Sequence, residues 1–301
     1  MSKSARLRAD DVRALARMLD ACRDLGDDAN GWAYHAAGEL GRLTGAGNVL
    51  IGGISAALIR VLTRPAGVPP PDLNAFLPEV SVGQIGWGWE NGFDPLGYAR
   101  LAGEMLVRGA GFHPAFEPYL QVRAGHNGVA LSRADLVRDH AWYRSEYYRD
   151  FHEPAGGDAI LMSYRTAPHI DGFWAAVLVR APGEPDFTPR QKAVVAEANA
   201  AIAGMVGGTL ARFTEPSPAT LPPRARQVLR CLLEGDSDKL IVTRLGIGRH
   251  TVNQYVKHIF RHFGVTTRAE LLARWVRRGW GNQCAWAEHV VPNPVLAPSC
   301  A

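Results

Sequence analysis

The chain has 301 residues, 47% hydrophobic and 21% charged, with a formal net charge of +4 and no run of eighteen apolar residues. That is the composition of an ordinary globular protein with room for two domains. It argues against a membrane span, and the charges scattered through MSKSARLRADDVRALARMLD argue against a secretory signal, so a cytoplasmic protein with no membrane partner is expected.

From the N-terminus, Val12, Leu15, Ala16, Met18 and Leu19 recur at helical spacing and predict a helix over 10–23. Trp32, Ala36, Leu40 and Leu43 predict a second over 30–44. The turn between them carries the acidic pair Asp27-Asp28, but no apolar strand precedes it and no strand–helix repeats follow, which argues against a phosphoacceptor domain. Residues 48–63 read as a strand, NVLIGGI, with a short continuation, and 64–79 as a proline-rich loop. Residues 80–90 read as a Trp-rich strand, and Asp94-Pro95 starts a helix to about 108. A strand is predicted at 126–136 and an aromatic helix at 141–152. Strands at 159–165 and 172–179, with the short connection APHIDG, suit an antiparallel hairpin. Thr188 as cap and Pro189 at the first position open a helix carrying Val194, Val195, Ala198, Ile202 and Met205 on to about 213. Residues 214–220, TEPSPAT, read as a linker.

The closing part of this region, from FHEPAGGDAILMSY through DGFWAAVLVR to DFTPRQKAVVAEANAAIAGMV, resembles the end of a GAF domain. In such domains a helix with the start seen at Phe187-Thr188 leads to the output. The resemblance implies that 1–213 form an α+β sensory domain of GAF/PAS-like type, an antiparallel sheet with helices, and it leaves open a small-molecule ligand there. Trp87, Trp89, Trp142, Tyr143, Tyr147 and Trp174 are candidates to line such a pocket, with plain core aromatics as the competing reading. The aromatic–Asp set that quorum sensors use for acyl-homoserine lactones is matched only faintly, by Asp94 with Trp87 and Trp89.

His113, His126, His140, His152 and His169 are scattered without HExxH or His–carboxylate spacing and read as surface residues, with His152-Glu153 at a helix end. The glycine pairs 52–53, 156–157 and 207–208 match neither a P-loop nor GxGxxG in a strand–turn–helix setting. Cys22, Cys231, Cys284 and Cys300 form no CxxC pair. No catalytic residue, metal site or cofactor is therefore expected.

Residues 221–280 read as four short helices. Ser237 caps the second, which carries Leu240, Ile241, Val242 and Leu245 toward a core; Gly246 ends it and Ile247 plugs the turn. The third, over 249–263, has two faces. Val252, Tyr255, Val256, Ile259, Phe260 and Phe263 make a buried stripe, and His250, Asn253, Gln254, Lys257 and Arg261 a polar one. Thr267-Arg268-Ala269-Glu270 reads as a capping box for a fourth helix with Leu271, Leu272, Trp275 and Val276 on one face. This stretch holds twelve Lys/Arg against four Asp/Glu, while the rest of the chain holds twenty-one against twenty-five. Such segregation is the footprint of a nucleic-acid-binding unit attached to a non-binding one.

The stretch resembles the LuxR-type (GerE-like) DNA-binding domain. The likeness is carried by Arg224, Val228-Leu229, Gly235, Ser237, Lys239, Ile241, Leu245-Gly246-Ile247, Thr251-Val252, Ile259-Phe260, Gly264-Val265, Arg268 and Ala269-Glu270-Leu271. It implies an all-α four-helix helix-turn-helix domain over 221–280, followed by a tail at 281–301, in a bacterial transcriptional regulator. Double-stranded DNA is the implied partner, and the protein is expected to bind it as a homodimer formed through the fourth helix. His250, Thr251, Asn253, Gln254 and Lys257 are the candidates for the groove, with Asn and Gln suited to adenine edges. Lys239, Arg244, Arg249 and Arg261 are the candidates for phosphates. Trp275 is read as core, near the dimer contact. Several positions depart from the family pattern: Pro222 and Ala225 replace a Thr and a Glu, Leu240 a Glu, Gly248 a Ser, Asn253 a Lys and Tyr255 a His. Asn253 lies on the reading face, so the preferred sequence does not carry over. The alternative is a protein-interaction adaptor whose helix-turn-helix no longer binds DNA.

Overall fold

The structure, a computed structural model, describes residues 6–65, 68–69, 84–126, 128–213 and 215–278. Most of the loop predicted at 64–79, the start of the strand predicted from 80, and the predicted tail lie outside the described residues. Ala9–Asp24 (α1) and Ala29–Thr44 (α2) pack together; Asp28 caps α2 by accepting from the Asn30 amide at 3.2 Å, and Gly45, at φ 69°, ends it. Strand β1 (Asn48–Ser55) follows, and its predicted continuation is a helix, α3 (Ala56–Leu62). The switch occurs at Ser55, whose hydroxyl accepts from the Leu58 amide at 3.0 Å. Strand β2 (Gln84–Trp87) is short, and α4 (Pro95–Arg108) starts where predicted, with the Asp94 carboxylate on the Leu96 amide at 2.9 Å.

In the middle of the domain two expectations are corrected and one helix is added. Helix α5 (Phe116–Gly125) was not anticipated; it buries Phe116 and Tyr119. The strand predicted at 126–136 is only β3 (Ala130–Ser132), because Ser132 and Asp135 form a capping box that opens α6 (Arg133–Leu136). The helix predicted at 141–152 is broken into α7 (Asp139–Tyr143) and a π-helical turn, Tyr147–His152. At the break the Ser145 hydroxyl donates to the Trp142 carbonyl at 2.6 Å and accepts from the Tyr148 amide at 3.1 Å. Strands β4 (Ile160–Thr166) and β5 (Gly172–Val179) form the predicted antiparallel hairpin.

The sheet has five strands in the order β2-β1-β5-β4-β3, all pairings antiparallel. Alternation along β5 assigns its two faces: Trp174, Ala176 and Leu178 enter one core, Ala175 and Val179 the other. The first core lies under α1, α2 and the exit helix α8 (Pro189–Met205), which Thr188 and Gln191 open with a reciprocal capping box. The second lies under α3, α4, α5 and the π-turn. The N-terminal part is thus an α+β domain with helices on both faces of an antiparallel sheet.

Trp87 explains two glycines in the middle of α2. A Cβ on Gly38 would stand 3.0 Å from its indole nitrogen, and one on Gly41 only 2.3 Å from its six-membered ring. Those glycines weaken the helix but let the indole lie against its backbone.

Helix α8 stops at Met205, short of the predicted end near 213. Gly207, at φ 82°, turns the chain, and the Leu210 amide bonds back to the Met205 carbonyl at 3.0 Å. The chain then runs over the domain rather than away from it. The Ala211 amide donates to the Gly26 carbonyl at 2.7 Å, and the Trp32 indole donates to the Ala211 carbonyl at 3.0 Å. Phe213 packs on Trp32 and Trp174, with centroids 6.2 and 6.1 Å away. The described part of the predicted linker, 215–220, is also packed, with Ser217 and Pro218 buried and the Ser217 hydroxyl 3.2 Å from the Asp28 carboxylate. Four helices follow as expected: α9 (Pro223–Leu233), α10 (Asp238–Leu245), α11 (Arg249–Phe263) and α12 (Arg268–Arg278). No helix among the described residues is long and apolar enough to cross a membrane.

Replacing Gly41 with Ala should drive a methyl into the Trp87 ring and cost about 1–3 kcal/mol, the usual range for overpacking. Thermal unfolding of the full chain should show a lowered Tm; an unchanged or raised Tm would contradict this packing.

Candidate nucleic-acid interface

The helix-turn-helix is set by short-range chemistry. Ser237 caps α10, its hydroxyl accepting from the Leu240 amide at 3.3 Å. Gly246 takes the left-handed conformation at φ 63°, ψ 34°, and its amide closes the helix on Val242 at 3.0 Å. Ile247 packs on the core beneath the turn. From there α11 runs with Val252, Ile259 and Phe263 buried and Tyr255, Val256 and Phe260 half-buried beside them. Helix α12 closes the core with Leu271 and Trp275, the latter edge-on to Phe263 at 5.3 Å. Two caps are missing, as the departures in sequence imply: neither Pro222 nor Gly248 offers a side chain to the amides of α9 or α11. The predicted box on α12 forms, with Glu270 accepting from the amides of Thr266 at 2.6 Å and Thr267 at 3.3 Å.

Two apolar assignments are corrected. Leu240, expected in the core, is exposed, because Ile241 occupies the inward position of a helix only two turns long. Val276, expected beside Trp275, is 77% exposed. Trp275 itself is core.

The opposite face of α11 is open. His250, Asn253, Gln254, Lys257 and Arg261 are all exposed, and Thr251 is half-buried at the start of the row. His250 and Gln254, one turn apart, meet through their Nε2 atoms at 2.8 Å. Lys239 and Arg249 are exposed near the start of α10 and α11. Among the described residues, neither they nor Lys257 and Arg261 have a carboxylate partner. Arg244 differs: its guanidinium is held by both Asp236, at 2.8 Å, and Glu234, which raises its pKa; Glu234, bonded first to Arg230 and then to Arg244, has its own pKa depressed. It braces the turn between α9 and α10. Arg268 braces the same turn from the other side, donating to the carbonyls of Leu232 and Asp236.

Residues 219–275 match the family model GerE, the bacterial regulatory proteins of the luxR family. The C-terminal unit is a LuxR-type helix-turn-helix domain. A probable HTH-type transcriptional regulator, GfsR of Streptomyces halstedii, is 31% identical to the chain over 88 residues, which is 29% of the chain and 34% of that protein. The match thus spans about a third of that relative's length. Among solved structures, SdiA of Escherichia coli aligns with 89% of the chain and 98% of its own at 12% identity and a TM-score of 0.40. SdiA in complex with octanoyl-rac-glycerol aligns with 91% and 97% at 11% and 0.41. The LuxR-type domain is attached firmly: the ring of His262, in the last turn of α11, lies 3.0 Å from the Ser217 carbonyl, and Arg278 is held by Glu215 and the Gly207 carbonyl.

The six aromatics proposed for a single pocket do not share one. Trp87 and Trp174 lie on the α1–α2 side of the sheet, Trp89, Trp142 and Tyr147 on the other, and Tyr143 is exposed. Asp94 serves as a helix cap. The histidines divide as well. His126, His140 and His169 are exposed, but His113 and His152 are fully buried, correcting their assignment to the surface. They sit among Tyr98, Trp142 and Tyr147, with the His113 ring tilted against Tyr147 at 4.1 Å and His152 stacked on it at 5.4 Å. The Ala115 amide donates to His113 Nδ1 at 3.1 Å, but His113 Nε2 and the Tyr98 hydroxyl have no partner among the described residues. A backbone group at Asp158 approaches His152 without reaching hydrogen-bond geometry. Burial, helped by the neighbouring His152, lowers the His113 pKa to about 3, and burial lowers that of His152 to about 4. No sequence signal marks these two, since only the tertiary aromatic box buries them.

Two outcomes follow. Both histidines bind protons more weakly folded than unfolded, so their penalty is absent above pH 6.5 and grows as pH falls toward 4, by up to about 1.4 kcal/mol per pH unit for each. Denaturant midpoints should therefore fall between pH 6.5 and 4.5, and replacing His152 with Phe should flatten that slope; an unchanged slope would contradict it. Arg244→Ala should destabilise the chain by roughly 1 kcal/mol, a modest figure because the pair is half exposed. A wild-type Tm with weakened DNA binding would instead make Arg244 a contact residue.

Proposed function

We propose that the chain is a bacterial transcriptional regulator that binds duplex DNA sequence-specifically through α11, as a homodimer. The observation that carries this is the open polar row on α11, held on a helix whose other face is locked in a core. An α-helix fits the major groove, where Asn and Gln side chains can pair bidentately with adenine and Lys with guanine. Asn253, Gln254 and Lys257 are the readers, with His250 and Thr251 beside them. Lys239, Arg249 and Arg261 contact phosphates, and Arg244 acts as a brace rather than a contact. Residues 221–280 form the DNA-binding domain and 1–213 the controlling one, joined through the linker 214–220, whose packed residues 215–220 carry the state of the first to the second. The antiparallel sheet, the closing β4–β5 hairpin and the exit helix capped at Thr188-Pro189 support reading the N-terminal domain as GAF-like.

Binding of the full chain to genomic fragments should weaken steeply with salt, by a log–log slope of about −0.9 for each phosphate neutralised. Arg261→Gln should reduce that slope by about 1 and weaken all sequences alike. Asn253→Ala should relax or change the preferred sequence. Salt-independent binding without sequence preference would overturn the reading and leave a protein-interaction adaptor.

A further inference from the structure

A groove of about 590 Å³ opens where the LuxR-type domain meets the N-terminal one. Its near wall is the turn at Gly207-Gly208, which ends α8; its far wall is α12, with Glu270, Arg274, Arg277 and Arg278. The size lies within the ordinary range for small-molecule sites. The groove is not part of the reading face. It sits beyond the C-terminal end of α11, whereas the readers end at Lys257, before the last turn of that helix.

The charges in the groove are unequally committed. Glu270 is occupied by the first amides around α12, and Glu215, with a side chain only 6% exposed, holds Arg212 and Arg278. Arg274 gives one guanidinium nitrogen to the Phe263 carbonyl at 3.1 Å, while its buried Nε has no partner among the described residues. Arg277 is exposed and reaches only its own helix, through the Ala273 carbonyl at 3.3 Å. Neither has a carboxylate partner among the described residues. Burial pushes the Arg274 pKa down against the pull of the nearby Glu215 carboxylate, and the neighbouring Arg278 adds to the lowering. Gly207 and Gly208 present bare backbone to the groove. His169 stands over them, its Nε2 3.7 Å from where a Cβ of Gly208 would be.

The geometry points to a binding site for a small phosphate-bearing polyanion, gripped by Arg274 and Arg277, with Arg278 beside them, against the 207–208 turn. Guanidiniums in this arrangement offer planar forks that match phosphate oxygens. Because the walls come from both domains, an occupant would fasten the LuxR-type domain to the N-terminal one. That makes the groove a control point independent of any ligand within the sheet domain, and independent of whether α11 reads DNA.

The test uses the full chain with pyrophosphate as probe, at fixed ionic strength and without DNA, followed by calorimetric titration and thermal unfolding. The expected result is saturable binding at one site with a rise in Tm. Arg277→Gln, which alters an exposed side chain, should weaken it roughly tenfold, the scale of one lost charge-assisted contact. Lys257→Gln should leave it within about twofold. Absence of saturable binding, insensitivity to Arg277→Gln, or equal weakening by Lys257→Gln would overturn the proposal, the last placing the anion on the reading face.

Discussion

The position of the LuxR-type domain depends on where Phe213 lies. Its ring rests on Trp32 and Trp174, and the Trp32 indole fixes the backbone two residues earlier through the Ala211 carbonyl. Aromatic contacts of this kind add about 0.5–1.5 kcal/mol each beyond the area they bury. The chain that leaves α8 is therefore laid across α2 and the sheet before it reaches α9. Ala29, Ala211 and Leu221 then join the core of the helix-turn-helix, so one apolar cluster runs through the junction. Ser217 near Asp28, His262 near Ser217, and Arg278 with Glu215 are the polar rim of that cluster.

This arrangement divides the labour along α11. Its inner stripe is consumed by packing and His262 by the junction, which leaves the outer row from His250 to Arg261 open. The ion-pair network of Arg244 with Glu234 and Asp236 stiffens the turn ahead of α10 instead of adding to the basic surface. Lys239, Arg249, Lys257 and Arg261 are the cations here that no carboxylate claims among the described residues. A rigid scaffold with unpaired cations and short amides on one helix face suits a groove lined with base edges and phosphates. The short α12 ends in a second, separate group of arginines at the domain junction.

What could be read from the sequence follows from the range of the interactions. Ser237, Gly246 and the Thr267–Glu270 box act within one turn of their own helices, so the four-helix unit and the two faces of α11 were legible. The same holds for Asp94, Thr188-Pro189 and the β4–β5 hairpin. Where a cap cuts an apolar run, as at Ser55 and Ser132, the residue type alone did not say that a strand stops and a helix begins. Ser145 breaks a helix by bonding its own backbone, a choice a serine makes only in some contexts. The burial of His113 and His152, the fit of Trp87 to Gly38 and Gly41, and the return of the chain over Trp32 all depend on partners distant in sequence. Periodicity is blind to these. Leu240 and Val276 mark the limit on short helices, where the apolar stripe is too brief to fix which edge faces in. Among the proposed site residues, exposure was legible from the stripe; the commitment of Arg244 to two carboxylates across a turn was not.

The most direct test of the account is photo-crosslinking from α11. A photoreactive residue at position 253, in the full chain bound to its preferred duplex, should crosslink to bases at one step of the site, and one at exposed position 276 on α12 should not. Crosslinking to bases from 276 but not from 253 would contradict the account, because DNA would then be held by a surface other than the open face of α11.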